Sequence, residues 1–299
     1  MNKDLMSFVE EVRSRVEAQT GKDVRLQQVK KNNGLVLQGI TIMQSDCNIA
    51  PTIYMEHYFK DYGNGRSIDS IVSAVLEVAQ NERMDKSLDM GWFRDFEKVR
   101  DKVAYKLINY EANRELLKSL PHEKFLDLAK VYYVSVNING GTGTILIHNS
   151  HLELWEITQE QLLAIAEENI TRLLPARIDT MCEVMKNIEG YDMLPQELVE
   201  EVVSGCHMYV ATNLAKTFGA AVMCYPYTIK RLAERLESDL FILPSSIHEV
   251  IIVLAKGEEG VNALRAMVYE VNRTQLAAEE FLSDSVYYYS REEGTIRIA

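Results

Sequence analysis

Residues 131–148, VYYVSVNINGGTGTILIH, form two runs rich in β-branched and aromatic residues around a pair of glycines. Such runs are typical of β-strands. The pair Gly140-Gly141 suits a two-residue hairpin turn, because glycine adopts positive φ angles at little cost. With that turn, Val136 faces Ile145 and one side of the hairpin is apolar. A strand after the glycines also argues against a phosphate-binding loop, which needs a helix there. The stretch therefore predicts a β-hairpin that covers a core.

The rest of the chain mixes helical and strand-like patterns without a repeating order. Apolar periodicity and end signals predict helices over residues 5–20, 52–62, 67–79, 158–174, 178–189, 226–236 and 261–271, with a short one after Pro195. Further strands are predicted over residues 24–30, 34–43, 207–212, 220–223, 240–243, 248–254, 285–289 and 295–298. This order predicts an α+β fold with mixed or antiparallel sheets and packed helices, in two lobes over residues 1–100 and 101–299.

The bulk composition is that of a globular protein with an acidic surface. Of the 299 residues, 47% are hydrophobic and 25% are charged, and the formal net charge is −12. A negative surface opposes contact with phosphate backbones and with anionic lipids. We therefore expect neither nucleic acid nor membrane as a partner.

Cysteine spacing and the N-terminal segment both bear on the compartment. The cysteines at 47, 182, 206 and 224 form no C-x-x-C pair, so neither a zinc ribbon nor a thioredoxin-type redox pair is indicated. The histidines show no metal-binding spacing either, and we predict no metal and no cofactor. The N-terminal segment has charges throughout and lacks the apolar core of a signal peptide. These patterns predict a cytoplasmic protein.

The segment LPSSIHEV at residues 243–250 gathers Ser245, Ser246, His248 and Glu249. Three interpretations compete: a turn between strands, a helix cap formed by the serine and the glutamate, and a hydrolytic site. No G-x-S-x-G motif accompanies the serines, and residues adjacent in sequence rarely supply a triad geometry. A turn or a cap is therefore favoured over a hydrolytic site. Contact of these side chains with a ligand stays open.

Two weaker candidates lie elsewhere in the chain. Ser283 and Asp284 precede a strand rich in tyrosine, where turns of the Asx or hydroxyl type are common, and a polar ligand could also meet them. His57 and Asp61 are four residues apart on a predicted helix, so the carboxylate could orient the imidazole as a general base. Exposed pairs of that kind are common without any reaction.

Several stretches together suggest a family. They are residues 109–117 (NYEANRELL), the predicted helix over residues 52–62 with its tyrosines at 54, 58 and 62, residues 219–221 with 225–226, residues 243–250, and residues 282–284 with 286–287. In these stretches the chain resembles a family of uncharacterised proteins of Gram-positive gut bacteria, described only as a domain of unknown function. The resemblance covers nearly the whole chain and implies no activity. It strengthens the hypothesis that residues 243–250 contact a ligand.

The leading hypothesis is a cytoplasmic protein that binds a protein partner or a small molecule, with residues 244–249 and 283–284 near the contact surface. The alternative is a hydrolase that uses His248 or His57 as a base, with a serine or an activated water as nucleophile.

Overall fold

The computed structural model describes residues 4–44, 47–48, 50–82, 89–138, 141–187, 208–255 and 260–299. The chain divides into two compact units, Met1–Trp92 and Phe93–Ala299. The sequence-based ranges 1–100 and 101–299 put the boundary a few residues later and stay predictions. In the described part of the chain, helices accompany three sheets whose strand pairs are antiparallel, so the predicted α+β class is confirmed. None of the described helices is long and apolar enough to cross a membrane.

The first unit sets three helices against a small sheet with the strand order β1-β2-β3. Its elements are α1 (Leu5–Thr20), β1 (Val24–Lys30), β2 (Val36–Ile42), β3 (Thr52–Tyr54), α2 (Glu56–Gly63) and α3 (Ile68–Asn81). Helix α1 begins where the Asp4 carboxylate accepts a hydrogen bond from the Ser7 amide at 2.8 Å. It ends at Gly21, which takes the left-handed conformation with φ 64°. The predicted first helix and the hairpin of β1 and β2 are confirmed.

The segment after Pro51 differs from the prediction of an immediate helix. Residues Thr52–Tyr54 form β3, in which Ile53 pairs with Ile40 of β2, and the helix starts only at Glu56. Two of the three residues are β-branched, which favours a strand. Tyr54 therefore does not share a helix face with the buried Tyr58.

The second unit contains two sheets and most of the chain. Its elements are α4 (Phe96–Val99), β4 (Val103–Asn109), α5 (Arg114–Leu117), β5 (His122–Phe125), β6 (Leu128–Ile138), β7 (Gly141–Leu146), α6 (Asn149–Trp155), α7 (Gln159–Leu173), β8 (Ala176–Thr180), α8 (Met181–Lys186), β9 (Met208–Asn213), a 3-10 helix (Gly219–Cys224), α9 (Thr228–Leu236), β10 (Leu240–Leu243), β11 (Val250–Leu254), α10 (Val261–Thr274), β12 (Tyr287–Ser290) and β13 (Thr295–Ile298). One sheet has the order β4-β6-β5, with β7 also paired to β6, and the other has the order β13-β12-β10-β11-β9-β8.

The hairpin predicted at residues 131–148 is formed by β6 and β7, but in another register. Val134, not Val136, pairs with Ile145, and Ile138 pairs with Gly141. Gly141 thus belongs to the ladder, while Gly140 lies outside the described residues. Because the shift is two residues, each side chain stays on its predicted face of the sheet.

Three further predicted elements differ from the structure or lie beyond its description. Residues 220–223, predicted as a strand, belong to the 3-10 helix Gly219–Cys224. The helix predicted from Ile178 begins at Met181, because Thr180 and Glu183 form a capping box there and Ile178 lies in β8. The short helix predicted after Pro195 lies outside the described residues.

Asp239 links the start of β10 to the turn between β12 and β13. Its carboxylate accepts hydrogen bonds from the Tyr288 hydroxyl at 2.5 Å and from the Arg291 amide at 2.9 Å. These two bonds lower the pKa of Asp239 below its usual 3.8.

A lowered pKa means that the ionised carboxylate stabilises the fold above the unfolded pKa, and that this stabilisation is lost as the pH falls through the folded pKa. We therefore expect Asp239→Asn to lower the urea midpoint near neutral pH. The difference from the parent protein should shrink as the pH falls below 3.8. Urea unfolding of both proteins across this range measures it, and a difference that grows on acidification would contradict the assignment.

Candidate functional site

The segment at residues 243–250 is a turn between β10 and β11, as one of the three interpretations predicted. The Ser246 amide donates to the Glu249 carbonyl at 3.2 Å, and the His248 amide donates to Ser246 Oγ at 2.9 Å. A serine hydroxyl that accepts from a nearby amide in this way stabilises a turn. No helix follows, so the capping-box interpretation is wrong.

The backbone of this turn is hydrogen-bonded to three other segments of the same polypeptide chain. The Ile247 amide donates to the Glu280 carbonyl at 3.0 Å, and the Ile247 carbonyl accepts from the Ala220 amide at 3.2 Å. The His248 carbonyl accepts from the Thr212 hydroxyl at 2.8 Å. Ser246 is buried and Ser245, His248 and Glu249 are half-buried. The backbone of this segment is therefore a fixed part of the second unit.

The His248 ring contacts residues outside the turn. Its Nδ1 accepts a hydrogen bond from the Phe218 amide at 3.2 Å, so the proton of the neutral ring is on Nε2. The ring stacks on Phe218 with centroids 5.8 Å apart, and Nε2 lies 3.9 Å from Glu280 Oε1. The hydrogen bond described for Ser246 Oγ is to a backbone amide. A catalytic serine would instead be hydrogen-bonded to the nitrogen of its base.

Ser283 and Asp284 are adjacent in sequence but contact different partners. The Ser283 hydroxyl is fully buried and donates to Asp127 Oδ2 at 2.5 Å. The Asp284 carboxylate accepts from Asn272 of α10 at 3.1 Å and forms an ion pair with Arg273 at 3.2 Å. Both side chains therefore already have protein partners.

Asp127, in the turn between β5 and β6, accepts hydrogen bonds from three hydroxyl groups. Besides Ser283, the Ser285 hydroxyl donates to Oδ2 at 2.9 Å and the Tyr287 hydroxyl donates to Oδ1 at 2.6 Å. Tyr287 is fully buried, and burial followed by the charge of Asp127 raises the pKa of its phenol. We call this group the Asp127 clamp, because it joins the four-stranded sheet to strand β12.

The predicted pair of His57 and Asp61 in the first unit is differently engaged. The Asp61 carboxylate accepts from Arg66 at 3.0 Å, while the exposed His57 ring lies 3.8 Å from the ring of Tyr58 between centroids. The carboxylate thus pairs with a cation rather than orienting the imidazole.

A cleft of about 360 Å³ lies in the second unit, beside residues that the sequence analysis did not single out. One wall is formed by the end of the 3-10 helix and the start of α9, and the other by β12 and β13. Strands β5 and β6 contribute Phe125 and Lys130. We call this space the Lys130 cleft.

Lys130 reaches the cleft from near the start of strand β6, where its neighbours are buried. It is only 8% exposed, and its neighbours Ala129 and Val131 are fully buried. Its ammonium group lies 2.8 Å from Glu167 of α7 and 3.3 Å from Glu123, its cross-strand partner on β5. Burial alone would lower the pKa of Lys130, but the Glu167 hydrogen bond and the nearby negative charges raise it overall. The side chain is therefore a permanent cation.

Buried phenols surround the lysine on the same face of the sheet. Tyr105 and Tyr132 are opposite each other in β4 and β6, and both are fully buried. Their hydroxyl groups have no hydrogen-bond partner among the described residues. Burial raises the pKa of both phenols, as it does for Tyr225 in the cleft wall. Each phenol keeps its proton and can only be a hydrogen-bond donor or a neutral acceptor.

Cys224 in the cleft wall carries a thiol that is equally fixed in its neutral form. The thiol is enclosed although the residue is partly accessible, and burial raises its pKa to about 12. At a mildly alkaline pH only roughly one thiol in 10⁴ is then a thiolate, which is the reactive form.

We expect Cys224 to react with iodoacetamide at least about tenfold more slowly than the half-buried Cys182 in the folded protein. Peptide mass spectrometry after timed alkylation measures both rates in one sample, and unfolding in urea should make them similar. A Cys224 that reacts as fast as Cys182 before unfolding would contradict the buried, protonated thiol.

Lys130 and Asp127 were missed for different reasons. The predicted strand begins at Val131, so Lys130 lies outside it. Read within the run Leu128–Tyr132, a lysine between buried apolar residues would have been a signal, because lysine is almost never buried without a partner. Asp127 carries no comparable signal, since an aspartate in a turn is ordinary. Among the described residues, no group of three or more His, Cys, Asp or Glu could hold a metal ion.

The fold and the cleft define an acidic α+β protein with a cavity of small-molecule size. The chain belongs to a family of unknown function, DUF5688, whose model matches residues 5–291. This match confirms that the chain is part of an uncharacterised family. No curated protein and no solved structure matches the chain.

Proposed function

We propose that this chain is a binding protein that takes a small molecule in the Lys130 cleft. The observation that carries the proposal is a cleft of about 360 Å³ with a buried, paired lysine in its wall. That volume is in the range of small-ligand sites, which are mostly apolar with a few well-placed polar groups. A protein partner needs a larger surface than such a cleft offers.

The protonation states in the cleft support binding rather than catalysis. A general acid or base works best when its pKa lies near the working pH. The pKa values of Lys130, Cys224 and Tyr225 are all raised, further above pH 7. The ammonium, the thiol and the phenol therefore each keep one protonation state. These groups can hold a ligand in place without exchanging a proton with it.

The alternative, a hydrolase with His248 as base, has less support. Ser246 Oγ accepts from the His248 amide, and His248 Nδ1 accepts from the Phe218 amide. A serine nucleophile would instead donate to an imidazole nitrogen. Screening of the purified protein against ester, phosphodiester and peptide substrates tests this alternative. Turnover that His248→Ala abolishes would favour it over a binding role.

We also propose a reducing, cytoplasmic location, and an origin in Gram-positive gut bacteria as the sequence resemblance implies. Cys47, Cys182 and Cys224 are free thiols, which supports a reducing compartment.

The binding role is tested by thermal unfolding of the whole chain against a library of small metabolites. A ligand at 100 times its Kd stabilises the folded state by about 2.7 kcal/mol, which is a measurable shift of the unfolding temperature. We expect at least one compound to give such a shift, and Ile296→Trp, which fills the cleft, to abolish it. Ile296 is suited to this change because it is a half-buried residue of the cleft wall.

The double variant Ser246→Ala/His248→Ala is the matched control. It should keep the shift if the ligand lies in the Lys130 cleft. Contact of a ligand with residues 245–249 and 283–284, the sequence-based prediction, stays a second proposal. It would be favoured if the double variant lost the shift and Ile296→Trp kept it.

A further inference from the structure

We infer that the Lys130 cleft selects an uncharged, planar ring that carries a hydrogen-bond acceptor, such as an aromatic amide. This inference rests on the proposed function and adds the chemical class of the ligand. It follows from three features of the cleft: its charge balance, its aromatic wall and the backbone of Tyr227.

The charges at the cleft are already compensated. Lys130 and Lys230 are the charged residues of its lining. Lys130 has Glu167 and Glu123 within 3.3 Å, and Lys230 lies 3.9 Å from Glu234. An anionic ligand would therefore meet carboxylates behind each lysine, and a cationic ligand would meet the lysines themselves. Beside the buried Lys130, either charge would lose hydration without gaining a free counter-ion, whereas Lys230 is exposed and its contact with Glu234 is screened by water.

The wall of the cleft combines polar surface with rings and other apolar side chains. It contains four aromatic residues, which are Phe125, Tyr225, Tyr227 and Tyr289, and two isoleucines, Ile229 and Ile296. Aromatic faces bind planar rings by stacking or edge-to-face contact. A flat apolar ligand body is thus favoured over a branched or strongly hydrated one.

Tyr227 is held in an unusual position at the rim. Its φ angle is 62°, in the left-handed region that a tyrosine adopts only at a cost in energy. It is also 65% exposed, so its ring does not repay that cost by burial in the core. Backbone strain at an exposed aromatic residue of a cleft is expected where the ring serves a ligand.

The polar groups of the wall specify the other end of the ligand. Lys130 keeps its ammonium protons, and Tyr225, which is 3% exposed, keeps its phenolic proton because burial raises its pKa. The Tyr225 hydroxyl is itself buried, so the ligand must supply its acceptor, such as a carbonyl oxygen, to Lys130. An amide or ketone does so without a net charge.

Three probes that share one ring and differ in charge test this inference. Benzamide, benzoate and benzylammonium are titrated against the whole chain near neutral pH, and binding is measured by ligand-observed NMR. Fragments of this size bind weakly, with Kd values on the order of millimolar. We expect benzamide to bind about fivefold or more tightly than either charged probe, because neither charge finds a free partner.

Tyr227→Asn tests the role of the exposed ring. Asparagine tolerates the left-handed conformation, so the variant should fold as well as the parent protein. We expect it to weaken benzamide binding about threefold, the size of one lost ring contact. Tyr269→Asn is the control, because Tyr269 is also an exposed tyrosine, 53% accessible, but is not part of the cleft lining.

The outcomes separate this inference from the proposed function. Tighter or equal binding of benzoate or benzylammonium would overturn the uncharged class and leave a binding cleft in place. Benzamide binding that survives Tyr227→Asn unchanged would overturn the role of Tyr227. If none of the three probes binds, the inference fails, while a metabolite shift that Ile296→Trp abolishes would still support the proposed function.

Discussion

Replacing Asp127 by alanine is expected to lower the free energy of unfolding by about 3 to 5 kcal/mol. Three hydroxyl groups, on Ser283, Ser285 and Tyr287, would lose their carboxylate acceptor. A hydrogen bond to a charged group contributes about 1.5 to 3 kcal/mol, and a buried donor without a partner adds a desolvation cost. The Asp127 side chain is half-buried, so water can replace part of the loss, which sets the range below the simple sum. Urea unfolding measures the effect.

Asp127→Asn is the matched control for this prediction. It keeps one carbonyl oxygen and almost the same shape, and it removes the negative charge. We expect it to cost less than Asp127→Ala, because some of the hydroxyl groups keep an acceptor. A loss below about 1 kcal/mol for Asp127→Ala would mean that the clamp contributes no more than an ordinary surface contact.

The second large effect is expected for Gly219→Ala, with a loss of about 3 to 5 kcal/mol or a failure to fold. A Cβ atom at Gly219 would lie closer than 3.0 Å to the Thr212 hydroxyl, to the His248 carbonyl oxygen and to the backbone nitrogen of Asn213. Two of these atoms are backbone, so a rotamer change cannot relieve the clash. The 3-10 helix must approach β9 and the turn before β11 this closely.

Gly63→Ala is the control, because nothing lies within 4 Å of an added Cβ there. Removing a glycine at such a site restricts the unfolded chain and typically stabilises a protein by about 0.4 to 1 kcal/mol. Opposite signs for the two glycine variants in thermal unfolding are therefore expected. A Gly219→Ala protein as stable as the parent would show that the backbone there is not closely packed.

The sequence predicted elements best where the signal was local. The helices predicted from residues 67 and 158 are confirmed, and each begins where a Ser67 or Thr158 side chain accepts a hydrogen bond from a nearby backbone amide. The strand over residues 240–243 is also confirmed, because its apolar run is short and has clear ends.

Predictions were wrong where contacts distant in the chain decide the structure. Residues 220–223 are apolar and β-compatible in isolation, yet close packing of Gly219 against β9 leaves them as a 3-10 helix. The register of β6 and β7 was wrong because the pattern of alternating residues is unchanged by a shift of two.

The candidate site shows the same contrast between local sequence signals and contacts that are distant in the chain. For residues 243–250 the sequence left a turn as one of three interpretations, and the structure shows that turn. The Lys130 cleft combines groups from β6, α7 and the 3-10 helix that are far apart in sequence. Such a combination depends on the sheet order, which periodicity alone does not give.

The Asp127 clamp also has a consequence for synthesis of the protein on the ribosome. Its bonds join residues 156 to 160 positions apart, so the carboxylate emerges long before its three hydroxyl donors. Contacts of such long range form late in folding, and an incomplete chain exposes the surfaces that they will cover. The Asp127 clamp can therefore be completed only after Tyr287 has left the exit tunnel, and until then the Asp127 carboxylate lacks its hydroxyl partners.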